Sequence, residues 1–190
     1  MSKNLPANAS IGASGEHLVL SQLLKMDYIA GLAPQNTKDY DLIVSSSDGT
    51  RLTNIQVKTA LSPTRPKNPS KNKWMISKKN EVFQDNLIYS FVHILQDSND
   101  FRVYNIPAKI VSSYAKISHG IWLKLPGLNN KPHKENPIRI IAADALDYFT
   151  TKDNRTILSN FLEPDEIQFL LTHRFGWMDQ FSDNWDIFNY

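Results

Sequence analysis

Tyr40-Asp41-Leu42-Ile43-Val44-Ser45-Ser46-Ser47-Asp48-Gly49-Thr50-Arg51-Leu52-Thr53-Asn54-Ile55-Gln56-Val57-Lys58-Thr59 reads as two strands and the turn that joins them. Residues 39–45 and 51–59 are rich in β-branched and apolar types, and Ser46-Ser47-Asp48-Gly49 between them is a hairpin signal. With Asp48-Gly49 as the two central residues of a type I′ turn, Ser47 faces Thr50 and paired positions sum to 97. Asp41 then lies opposite Gln56, their Cβ atoms roughly 5 Å apart. Lys58, two residues on, points to that same face, whereas Ile55 and Val57 point the other way, into the core. A slip of one residue would undo the alignment. In this register Asp41, Gln56 and Lys58 converge within reach of one small cation and its water.

Upstream, residues 12–26 have helical spacing, with Ser14 or Ser10 available as N-cap. At 100° per residue Leu23, Leu20, Val19, Leu24 and Met26 all fall within about 80° of Glu16. Glu16 therefore sits in the middle of the apolar stripe. A carboxylate on that side needs a reason, because burying an unpaired ion costs several kcal/mol or shifts its pKa. A cation beneath it supplies one; a place in the first turn, where acids complement the helix dipole, supplies another.

Mg²⁺ takes oxygen ligands in octahedral geometry and keeps several waters. The Asp41 carboxylate, the Gln56 side-chain carbonyl and the Val57 main-chain carbonyl form a matching set, with Glu16 joining directly or through a water. Lys58 is placed to hold and polarise an attacking water, or to stabilise charge building on a phosphate.

Further strands are expected at 28–33, 74–77, 87–95 and 101–106, a short helix at 78–86, and a helix from Pro107 to Lys116. The layout is mixed α/β around a sheet of about five strands. Residues 126–137 read as loop. Beyond them lies an acidic, aromatic region with a helix opening at Pro164-Asp165-Glu166 and a last stretch, 175–190, holding two Trp, three Phe and one Tyr. That stretch is assigned structural work, packed on the core or on a partner. The expected organisation is a core over 1–125 and a helical extension over 126–190.

Gly15-Glu16 on a first helix, Tyr40-Asp41-Leu42-Ile43-Val44, and Ile55-Gln56-Val57-Lys58 together resemble the PD-(D/E)xK, or restriction-endonuclease-like, nuclease superfamily. The αβββαβ order of residues 12–106 is similar to that family's shared core, and the resemblance covers about the first 120 residues. It implies hydrolysis of phosphodiester bonds, usually in DNA, with Mg²⁺ or Mn²⁺ as cofactor. By position Asp41 matches the motif's first acid, Lys58 its lysine and Glu16 the helix glutamate of many resolvase-like members. Two positions depart: Tyr40-Asp41 replaces the proline-acid pair, and Gln56 replaces the second acid. Some members resemble this Gln-x-Lys form. The missing charge weakens metal binding and argues against a tightly held second metal.

The 190 residues are 41% hydrophobic and 11% aromatic, enough for a sizeable core. The net charge of +2 is unevenly spread: residues 1–125 hold 15 Lys/Arg against 9 Asp/Glu, residues 126–190 hold 6 against 10. Arg65, Lys67, Lys71, Lys73, Lys78 and Lys79 stand in a stretch without an acid, which attracts polyanions and makes them candidate nucleic-acid contacts. Trp74 nearby reads as core. Without cysteine there is no disulfide framework and no thiolate zinc, and the absence of a secretory signal and of a run of about 20 apolar residues points to a cytoplasmic protein off the membrane. The five histidines lack i,i+4 pairing, and no phosphate-loop or nucleophile-elbow motif occurs. Asp144 with Asp147, and Asp165 with Glu166, read as exposed helix faces.

The resulting expectation is a metal-dependent DNA nuclease, with restriction, defence or mobile-element roles fitting such a fold, and a homodimer as one way to cut both strands. The rivals are a non-cleaving DNA binder on the same fold, favoured by Gln56, and an interaction module using the aromatic tail.

Overall fold

The structure, a computed structural model, describes residues 7–34, 37–46, 48–62, 72–95, 100–127, 131–150 and 155–189. Its elements run α1 (Asn8–Lys25), β1 (Ile29–Leu32), β2 (Leu42–Ser45), β3 (Leu52–Ser62), β4 (Lys73–Ser77), β5 (Leu87–Leu95), β6 (Phe101–Pro107), α2 (Ala108–Lys124), β7 (Ile138–Ala142), α3 (Ala145–Phe149) and α4 (Pro164–Thr172). They fall into two compact units. The first takes residues 1–66, 84–108 and 180–190, the second 67–83 and 109–179.

The first unit is built on a five-stranded sheet of order β1-β2-β3-β5-β6. Neighbours are antiparallel except β3 and β5, which run parallel from Asn54↔Leu87 to Ser62↔Leu95. The mixed α/β class expected from the sequence is therefore present. A parallel pair needs a long connection, and here the chain passes through β4 before it returns. The helix expected at 78–86 is only a 3-10 turn, Lys78–Glu81, started by the Ser77 hydroxyl accepting from the Lys79 N–H. Val82 and Phe83 beyond it are exposed, so the segment has no apolar stripe to hold a longer helix.

Burial on β2 alternates as the strand period requires, with Leu42 and Val44 inward. They join Ile55, Val57, Ile88, Val92 and Val103 of the sheet, Val19 and Leu23 of α1, and Tyr28 in one core. Two residues of the final stretch, Trp185 and Phe188, complete it. The Tyr28 hydroxyl donates to the Trp185 carbonyl at 3.0 Å, and its ring meets Phe188 edge-on.

Helix α1 starts four residues before the expected Gly12 and uses neither serine as N-cap; Ala7 precedes it without a side-chain cap, and Ser14 donates to the Ile11 carbonyl inside the helix. Its end is well specified. Asp27 takes a left-handed φ of 65°, its N–H donates to Leu24 O and that of Tyr28 to Leu23 O, a Schellman closure with Leu23 and Tyr28 both in the core.

The β2–β3 ladder pairs Leu42↔Ile55 through Ser45↔Leu52, so paired positions do sum to 97. The turn is not the expected type I′. Asp48 is absent from the positive-φ residues, while Gly49 takes φ 73°. The Gly49 N–H donates to Ser46 O, Ser46 pairs with Arg51, and the Asp48 carboxylate accepts from Ser46, Thr50 and the Thr50 N–H. With Ser46 and Arg51 paired, the loop closes the same register that a two-residue loop would.

In the second unit β4 and β7 form a two-stranded antiparallel ribbon centred on Met75↔Ile140. Trp74 is buried, as its core reading required. Strand β7 was hidden in the region expected to be helical. Its Arg139 points inward, 2% exposed, and is neutralised by Glu81 and Glu135. Asp144, expected on an exposed face, is buried instead: its carboxylate caps α3 at the Asp147 N–H and accepts from Arg174 at 3.1 Å. Helix α4 opens as expected, with a capping box between Glu163 and Glu166.

Candidate active site

Strand β2 begins at Leu42, one residue after Asp41, and that residue is fixed on both sides. Its N–H donates to Ile55 O at 2.7 Å, and its carbonyl accepts from the Ala33 N–H at 2.9 Å. Its side chain then turns toward β3, where Oδ2 accepts from the Val57 N–H at 2.7 Å. In an uninterrupted ladder Val57 would donate to the carbonyl of residue 40. The carboxylate stands in for that carbonyl, and with the Asp41 N–H bonded to Ile55 O the residue bonds to both neighbours of Gln56. Asp41 thus faces Gln56 as the register implies, outside the regular ladder. Within a strand the N–H and C=O of one residue leave by the same edge, so the Val57 carbonyl also projects past the start of β2.

Glu16 comes to this edge from α1. The helix buries Gly15, Val19 and Leu23, a narrow stripe at four-residue spacing, while Leu24 is 53% exposed. Glu16 therefore flanks the buried stripe and does not occupy its middle, because Leu24 and Met26, which widened the stripe on paper, face water. It remains partly buried. Burial raises its pKa above 4.5, the Asp41 carboxylate raises it further, and His17 and Lys58 pull it down. Glu16 and Asp41 are thus brought together as two interacting carboxylates, with the Lys58 ammonium within electrical reach.

Gln56 is buried on β3 across from Tyr89, and Lys58 is partly buried across from Phe91. By strand period they share the face opposite Ile55, Val57 and Thr59. Lys58 accordingly has the weakest influence of the four on Glu16.

A position that sequence reasoning missed is Thr59. A Cβ on Gly15 would overlap the Thr59 side chain, so α1 seats directly on β3 at the residue before Glu16 and the residue after Lys58. The Thr59 hydroxyl is buried there without a hydrogen-bond partner among the described residues. The available signal was a glycine in the interior of a helix, where it costs stability unless something approaches closely.

Of the basic candidates, Arg65, Lys67 and Lys71 lie outside the described residues. Lys73, Lys78 and Lys79 are exposed in the second unit; Lys78 pairs with Glu135 at 3.3 Å and Lys73 stands 5.1 Å from the Tyr148 ring centroid.

Among the described residues no three His, Cys, Asp or Glu side chains cluster as a metal site. Glu16 and Asp41 supply two interacting carboxylates, the Val57 main-chain carbonyl lies beside Asp41, and Gln56 carries an amide one residue away on β3. All are hard oxygen donors, and a divalent cation would relieve the repulsion between Glu16 and Asp41. The set fits Mg²⁺ or Mn²⁺.

No family model and no curated protein matches the chain. Solved structures resemble it, two nucleases among them. One is a bacterial homing endonuclease, 14% identical with TM-score 0.46, covering 97% of this chain and 94% of that one. The other is Hjc, a Holliday junction resolvase from the archaeal hyperthermophile Archaeoglobus fulgidus, 12% identical with TM-score 0.36, covering 82% and 93%. At these identities and TM-scores neither neighbour assigns a role to any residue here. No helix among the described residues is long and apolar enough to cross a membrane.

Proposed function

We propose that the chain is a metal-dependent nuclease hydrolysing DNA phosphodiester bonds at the open edge of β3. The observation that carries this reading is the Asp41 carboxylate locked to the Val57 N–H beside β3, with Glu16 near enough to feel its charge. Two like charges held together without a cation between them are costly, and a divalent ion removes the cost. Asp41, Gln56, Val57 and Glu16 would hold Mg²⁺ or Mn²⁺, which when bound supplies charge neutralisation at a phosphoryl oxygen and acidifies water. Lys58 donates to the attacking water or to the phosphate, and its fixed position on β3 removes the need to reorganise during the reaction. Lysines 73, 78 and 79, with Arg65, Lys67 and Lys71, attract the backbone without reading sequence. A homodimer would provide one such edge per DNA strand, and a cytoplasmic setting suits a cysteine-free chain.

Purified protein incubated with plasmid and linear DNA in Mg²⁺, Mn²⁺ or EDTA tests this. Cleavage should require metal and fall at least about 100-fold in Asp41→Ala and in Lys58→Ala. Undiminished cleavage in Asp41→Ala, or cleavage in EDTA, would overturn the site. A second reading, a DNA binder that does not cut, is favoured by the neutral Gln56. Retention of DNA on a gel with no cleavage under either metal would select it.

A further inference from the structure

We propose that the second unit holds a pocket for a single unstacked nucleobase, with Lys73 at its mouth to meet the adjoining phosphate; the choice of polymer rests on the nuclease reading. The cavity measures about 260 Å³. Pockets for drug-sized ligands begin at roughly 300 Å³, so this one suits one flat ring system. Its floor is the outward face of the β4–β7 ribbon, where Met75, Ile138 and Ile140 present an apolar surface; Met75 is 63% and Ile138 47% exposed. Thioethers and aliphatic groups of this kind take the face of a ring well. Aromatic side chains wall it, Trp122 from α2 and Tyr148 and Phe149 from α3.

The polar groups are few and held in place. His119 lines the cavity with Nε2 3.0 Å from Glu135, and Glu135 is fixed in turn by Arg139 at 2.9 Å and Lys78 at 3.3 Å. The Arg139 and His119 hydrogen bonds hold the Glu135 carboxyl down to about 2, so it orients the imidazole as an anion across the physiological range. The His119 ring is stacked on Trp122, itself stacked on His133 at 4.0 Å, which stiffens that wall. The Asn136 amide oxygen accepts from the Ile138 N–H, and this cavity-lining side chain keeps its NH₂ as a donor. A flat ring with polar atoms on its edge suits these groups.

The rim adds the second requirement. Lys73 Nζ lies 5.1 Å from the centroid of Tyr148 and 3.4 Å from its hydroxyl, and Tyr148 is a wall of the cavity. A cation beside a ring-sized, donor-bearing slot matches a base attached to a phosphate. It does not match an apolar peptide side chain, which brings no anion. Stacking of this type tolerates any base, so the pocket confers affinity for unpaired nucleotides with little sequence preference.

The test uses the full chain in EDTA, so that binding is read without cleavage. The probes are an otherwise abasic single strand carrying one 2-aminopurine, and the wholly abasic strand of equal length. Binding of the first should quench its fluorescence and be about tenfold or more tighter than binding of the second. Met75→Glu, at an exposed floor position, should abolish the quench and the difference between the two strands. Lys73→Ala should weaken both strands. Equal affinity for the two strands overturns the pocket, as does a quench that survives Met75→Glu. Light scattering showing that Met75→Glu dissociates a dimer also overturns it, assigning the face to a second copy of the chain. Metal-dependent cleavage is scored separately on duplex DNA. Cleavage with no base dependence sinks the pocket and spares the nuclease reading; base-dependent binding with no cleavage does the reverse.

Discussion

Asp41 and Glu16 share an edge but differ in what holds them. Asp41 is part of the backbone scheme, whereas Glu16 is kept near a like charge and partly out of water. Replacing Asp41 with Asn retains an acceptor for the Val57 N–H; replacing it with Ala strands that donor, at a cost of about 1–3 kcal/mol. Thermal melts should therefore separate Asn from Ala while metal-dependent cleavage falls in both, and equal melting temperatures would refute the carboxylate's structural role. For Glu16 the sign is opposite. Its folded pKa is raised, so its contribution is fully present below the ordinary 4.5 and lost as pH rises through the folded value. Glu16→Gln should melt higher than the parent at neutral pH, with the advantage fading below about pH 4, and should lose cleavage. Added Mg²⁺ should raise the melting temperature of the parent and not of the variant. At this scale residue type and spacing nominated Asp41, Gln56 and Lys58, and the β2–β3 ladder keeps the register on which that nomination rests. Thr59 escaped because its importance lies in what Gly15 lacks.

Elements were legible where a local pattern decided them and illegible where a partner did. The hairpin illustrates both. Its turn geometry differs from expectation, yet the ladder keeps the predicted pairing, since Leu42, Val44 and Ile55 share one core with α1 and a slip of one residue would turn a strand's apolar set away from it. The alternating β2 pattern was thus a stronger constraint than the turn dipeptide. Strand β7 could not be found in the same way, since Ile138-Arg139-Ile140-Ile141-Ala142 makes sense only once Glu81 and Glu135 neutralise the arginine. For α1 the decisive contact is the missing Cβ of Gly15 against Thr59. Gly15→Ala should cost about 1–3 kcal/mol by overpacking and displace Glu16, so that Mn²⁺ affinity weakens along with stability. Thr59→Gly in the same chain should restore both; recovery of stability without recovery of Mn²⁺ affinity would show that the contact does not position Glu16.

On the scale of the molecule the aromatic tail proves to be two things. Residues up to Asp179 belong to the second unit, where Trp177 stacks on Tyr114 at 5.0 Å. The remainder belongs to the first, with Trp185 and Phe188 in its core. Composition showed that this stretch had to be buried somewhere; nothing in it named the surface, because an aromatic residue fits any apolar neighbour of suitable shape. A stop codon after Asp179 should unfold the first unit, since losing each buried Trp or Phe costs about 3–5 kcal/mol against a total stability of about 5–15 kcal/mol. Far-ultraviolet circular dichroism of the truncated chain reads this out, and a native-like melt would show the tail to be an appendage.

The same division sets a clock on synthesis. The strands and helix that carry Glu16, Asp41 and Lys58 are all made before residue 109, but the two aromatic side chains that complete their core come after residue 179. At 5–20 residues per second the ribosome takes roughly 4–14 s to cross the interval. Through that time the first unit lacks Trp185 and Phe188, so its core closes only after the second unit has been translated.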